Sequence, residues 1–119
     1  MDEAIKGLIE ELKKAVRFTE LRKAPTTGEY LEAVFLREDL VRCCELLSTV
    51  FGPPIKEFGR PPTFTQETQK TVDVVGGIRA NQCLYLAQKG ARDVGYAALW
   101  PWESDPARLT LKVGTWQVQ

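Results

Sequence analysis

Ile5, Leu8, Ile9, Leu12 and Val16 recur at the i, i+3, i+4, i+7 spacing of one helical face, which predicts an amphipathic helix over residues 2 to about 16. Asp2 can cap its start, and Glu3 suits the positive end of the helix dipole. The helix runs on through Leu21 or gives way to a short strand around Arg17 to Leu21, and Pro25 to Gly28 make a turn. From Glu29 to Leu36 the period becomes two: Leu31, Ala33 and Phe35 point one way, and Tyr30, Glu32, Val34 and Leu36 the other. Arg37 to Phe51 returns to helical spacing with a broad stripe of Leu40, Cys43, Cys44, Leu47, Val50 and Phe51, closed by Gly52, Pro53 and Pro54.

Residues 55–71 show little periodicity and read as a long loop with a short strand around Ile55 to Phe58. Beyond it, alternation predicts strands at Val72 to Ile78, Gln82 to Gln88, Val94 to Trp100 and Leu109 to Gln117, joined as a meander by turns at Lys89 to Asp93 and Glu103 to Ala107. In the last strand Leu109, Leu111 and Val113 face the core, while Thr110 and Lys112 face water. Gly76-Gly77 reads as a bulge or tight bend. Early helices followed by strands make the expected fold class α+β: a two-layer, mostly antiparallel sheet of four to five strands with two helices packed on one face. At 119 residues the chain suits one domain, 1–119, and 44% hydrophobic with 27% charged residues suits a globule with a real core.

Charge changes the picture by what it disfavours. There are 16 basic and 16 acidic residues, and neither half of the chain carries an excess of more than one charge. A nucleic-acid partner, whose phosphates reward a basic surface, is not expected. The run Lys13, Lys14, Arg17, Arg22, Lys23 is a local basic excess and reads as a solvated face. No apolar run approaches membrane-spanning length, and no membrane partner is expected. The start lacks the pattern of a signal peptide, and three cysteines, two of them adjacent, do not make a secreted disulfide framework. The expected location is cytoplasmic.

The chain contains no histidine, which removes the commonest general base and metal ligand. Cys43, Cys44 and Cys83 show no chelating spacing and read as packing residues. No cofactor and no metal are expected. The most distinctive feature is Trp100-Pro101-Trp102, two indoles at a strand end that either seal the core or form a recognition surface. With Tyr85, Arg79 and Arg60 they make the candidate ligand or partner surface; no catalytic residue is assigned. The function that fits is a non-catalytic binding or assembly module, engaging a protein partner or a second copy through this surface or through open strand edges. The alternative is an enzyme or small-ligand carrier with a pocket between the sheet and the 55–71 loop, lined by Tyr85, Trp100, Arg79 and Cys83.

Overall fold

The computed structural model describes residues 3–23 and 30–118. The cap at Asp2, the turn at Pro25 to Gly28 and the strand start at Glu29 lie outside them. Helix α1 (Glu3–Ala15) leads into β1 (Phe18–Lys23) and β2 (Leu31–Leu36). A short 3-10 turn at Arg37–Asp39 opens α2 (Leu40–Phe51), followed by α3 (Gln66–Val75), β3 (Cys83–Gln88), β4 (Asp93–Pro101) and β5 (Arg108–Gln117). The five strands form one antiparallel sheet in the order β1-β2-β5-β4-β3. The fold is α+β with an antiparallel sheet, as the periodicities require.

Strand alternation sorts the side chains into two cores. Leu31, Ala33 and Phe35 of β2, Leu109, Leu111 and Val113 of β5, Ala97 and Leu99 of β4, and Cys83 and Tyr85 of β3 face α1 and α2. Ile5, Leu8, Ile9 and Leu12 supply the α1 side of that layer, and Cys43 and Leu47 the buried side of α2. The other face carries Leu84, Tyr96 and Ala98, and these are covered by Val72 and Val75 of α3 with Ile78.

This third helix replaces the strand expected at Val72 to Ile78 and the end of the expected loop. Alternating valines and strand-forming β-branching suggested a period of two, but burial follows a period of three: Val72 and Val75 are buried, while Val74 is 49% exposed. The start is fixed by Thr65, whose hydroxyl accepts the Thr68 N–H at 3.2 Å. Gln69 reinforces the next turn through a 2.9 Å bond to Asp73. Gly76 ends it with φ 110°, a left-handed conformation that glycine adopts without strain, so the Gly76-Gly77 pair is a helix stop rather than a sheet bulge. Because α3 lies on this face, Thr110 is buried and Lys112 half-buried, where water had been expected.

Both sheet edges are blunted. Edge strand β1 pairs with β2 through two register shifts and presents Glu20 and Arg22. At β3, Lys56 forms an antiparallel bridge to Leu84, with Leu84 N–H donating to Lys56 O at 3.0 Å. The Lys56 side chain is buried at 4% exposure, and its ammonium donates to the carbonyls of Glu57 (2.9 Å), Gln82 (2.7 Å) and Ala80. Burial pulls its pKa down, but three carbonyl acceptors match the three donors of an ammonium and hold the charged form.

Candidate functional site

The Trp100-Pro101-Trp102 segment sits where β4 leaves the sheet. Pro101 is the last residue of the strand, paired with Leu109, and the Trp102 N–H closes the turn by donating to Arg108 O at 3.0 Å. Trp100 points to the α3 face with Tyr96 and Ala98, where the tip of its indole rests on Gly76: a Cβ there would lie 3.1 Å from Cη2. Lys112, one strand over, extends along the same ring with Nζ 3.8 Å from its centroid and donates to Val75 O at 3.1 Å. A cation at that carbonyl complements the negative end of α3. Trp100 Nε1 is the one buried side-chain nitrogen or oxygen among the described residues with no hydrogen-bond partner.

Trp102 is held differently. Its Nε1 donates to Thr110 Oγ1 at 2.9 Å, and the guanidinium carbons of Arg22 and Arg108 lie 5.4 and 5.6 Å from its ring centroid. Each is within cation–π range. Arg22 also contacts Glu20 at 3.2 Å, and Arg108 contacts Asp105 at 3.0 Å.

Between these rings and the 76–82 loop lies an open groove of about 610 Å³. Trp100, Trp102 and Thr110 line it on the sheet side, Gly76 and Ile78 on the α3 side, and Arg22 on the β1 side. Across it, Arg79 reaches Glu103 at 3.0 Å, both side chains about three-quarters exposed. Neither tryptophan is wholly core or wholly surface: both are half-buried, each sealing the sheet with one part and lining the groove with another.

Of the five residues singled out in the sequence, the structure brings together Trp100, Trp102 and Arg79. Tyr85 lies on the opposite face of the sheet, 2% exposed and 6.1 Å from Phe51 between ring centroids. Arg60 stands exposed on the loop outside β3, beside a separate hollow of about 400 Å³ with Pro54 and Pro61. Trp116 sits at the far end of the β4–β5 pair and donates to Thr71 Oγ1 at 2.9 Å. The groove is bounded by the 76–82 loop rather than by 55–71. Arg22, Glu103, Thr110 and the two glycines also belong to it, although locally they read as a solvated basic run, a turn, a water-facing strand position and a bend; only the tertiary pairing of β1 brings Arg22 there.

The thiols belong to the other layer. Cys43 and Cys83 are buried against it and Cys44 half-buried, all unpaired. Burial, reinforced by the neighbouring Cys44, pushes the Cys83 thiol up to about 12 from an ordinary value of 9.0, and burial raises Cys43 and Cys44 as well. Such thiols are protonated at neutral pH and poor nucleophiles. A pH dependence of stability follows. As pH rises past 9 the unfolded chain loses these protons before the folded one, so stability present below pH 9 falls through the range up to about 12. The urea midpoint should be lower at about pH 10.5 than at about pH 8, and Cys83→Ala should remove part of the difference. A midpoint unchanged over that interval would contradict the burial of these groups.

Among the described residues no group of three or more cysteine and carboxylate side chains is placed to hold a metal ion, and no helix is long and apolar enough to cross a membrane. The class defined by fold and site is an α+β sheet, helix-covered on both faces, with an aromatic groove at one end. Comparison with protein-family models, with curated proteins and with solved structures gives no significant match in any of the three.

Proposed function

We propose that this chain is a non-catalytic binding module that docks a protein partner in the groove at Trp100 and Trp102. The observation that carries the reading is two half-buried indoles at a strand end, Trp100 seated on Gly76 and Trp102 hydrogen-bonded to Thr110, facing an open groove rimmed by exposed charges. Buried aromatic anchors inside a polar rim are the usual anatomy of a recognition surface. The groove lining has one carboxylate, Glu103, committed to Arg79, and no thiol. That is a poor set for acid–base or nucleophilic work, which needs a positioned pair of groups. Edge-to-edge assembly is the weaker route, because β1 is bulged and β3 is bridged by Lys56.

A random-peptide selection against the folded chain tests the reading, with the three indole N–H resonances as reporters. Selected peptides should shift the Trp100 and Trp102 signals and leave Trp116 in place. Trp102→Ala, checked for fold by circular dichroism, should weaken binding by about tenfold or more. Peptides that bind while shifting neither groove indole would sink it. The groove volume also lies within the small-molecule range. Melting temperatures that rise with a metabolite, and with no peptide, would favour that second reading.

A further inference from the structure

Trp102 shows which chemistry its ring accepts, because the chain's own cations are already beside it. Arg22 and Arg108 lie 5.4 and 5.6 Å from its centroid, and Lys112 takes the same relation to Trp100 at 3.8 Å. The three are not equally held. Arg108 is tied to Asp105 within its own turn, and its carbonyl anchors the Trp102 backbone. Lys112 caps α3 through Val75 O. Arg22 comes from the bulged edge strand, and its carboxylate contact is Glu20, two residues away, with side chains 39% and 50% exposed. An exposed pair of this kind contributes little, so the guanidinium can swing outward with Glu20 and leave the β1 backbone in place.

Once Arg22 swings out, the groove offers more of the electron-rich face of the Trp102 indole, which attracts a cation. A planar guanidinium stacks on an aromatic face better than an ammonium. We infer that Arg22 occupies, from within the chain, the subsite into which a protein partner inserts an arginine side chain, the partner's guanidinium replacing that of Arg22 over Trp102. The inference rests on the groove being the docking surface and adds the chemistry of what docks.

The test titrates the whole chain with acetyl-Gly-Arg-Gly-amide, with the same peptide carrying citrulline, the uncharged isostere of arginine, and with acetyl-Gly-Glu-Gly-amide. Indole N–H shifts give the affinities for the unsubstituted chain and for Arg22→Ala. The arginine peptide should move the Trp102 signal, and the citrulline peptide should bind about fivefold more weakly. Arg22→Ala should bind the arginine peptide about threefold more tightly, since the internal competitor is gone. Equal binding of the arginine and citrulline peptides overturns the inference, and so does an Arg22→Ala affinity that is unchanged or weaker. The arginine–citrulline contrast is read on the unsubstituted chain and does not depend on how the variant folds. If the acidic peptide moves Trp102 and the arginine peptide does not, the groove reading stands and this inference falls. If no peptide, here or in the selection, moves either groove indole, both fall.

Discussion

Replacing Lys56 with methionine should lower the stability of the protein by about 2–4 kcal/mol, measured by urea denaturation. The ammonium donates to three backbone carbonyls, those of Glu57, Ala80 and Gln82, and hydrogen bonds to a charged donor contribute about 1.5–3 kcal/mol each. The loss is smaller than that sum for two reasons. Methionine relieves the desolvation cost of a buried charge. Ala80 O also keeps the Gly59 N–H, at 2.7 Å. Gln82 O loses a close donor at 2.7 Å, and with it the 79–82 turn loosens beside the groove. Amide exchange should accelerate at Gly59 and Leu84. Lys56→Arg should not rescue, because a planar fork cannot imitate three donors on one nitrogen. A loss under about 1 kcal/mol would mean that the carbonyls find water and that Lys56 is not the clasp described.

Gly114→Val should cost about as much, from the opposite cause. Register places Gly114 opposite Tyr96, and the ring lies over it: a Cβ would meet Tyr96 Oη at 2.8 Å and Tyr30 Cδ1 at 2.9 Å. Replacing a mid-strand glycine ordinarily helps, through β-propensity and a less disordered unfolded state, by up to about 1 kcal/mol for each effect. Overpacking against two aromatic rings costs roughly 1–3 kcal/mol, and a branched side chain is at the upper end or above it. Tyr96 is 5% exposed and cannot swing into solvent, so the steric term wins. Alanine should lose about 2 kcal/mol and valine about 3–4 kcal/mol. In a Tyr96→Phe background the alanine cost should shrink, because the nearest atom is gone; strict additivity would show that the Tyr96 hydroxyl is not the obstacle.

What the sequence made legible was local. The stripe of α2 and the alternation of β2, β4 and β5 could be read because a helix face or a strand face is a property of consecutive residues. What it hid was relational. Tyr85 and Trp100 each look like surface-lining aromatics, yet they point to opposite faces, because the β3–β4 register pairs Tyr85 with Ala97 rather than with a residue of Trp100's face. Parity within a strand is written in the sequence; parity between strands is set by the turn that joins them. Helix α3 was hidden by valines, whose intrinsic preference for strands is overridden by what Val72 and Val75 bury. The groove combined both problems. Its indoles stood out as a tripeptide, while Arg22 joined them only through a sheet closed between distant segments.

The reach of α3 has a kinetic consequence. The helix ends at Gly76 against Trp100, and past that point Thr110 and Trp102 are joined by a side-chain hydrogen bond while Lys112 lies along Trp100. Part of this sheet face is thus roofed by a helix and part by individual side chains, Arg22 among them. Displacing a packed element takes microseconds to milliseconds, whereas an exposed side chain changes rotamer in picoseconds to nanoseconds. Arg22, the exposed side chain over Trp102, can leave and return many times during one diffusional encounter. A partner arriving there would find admission fast, and the lifetime of its complex would be set by how tightly it is gripped once inside.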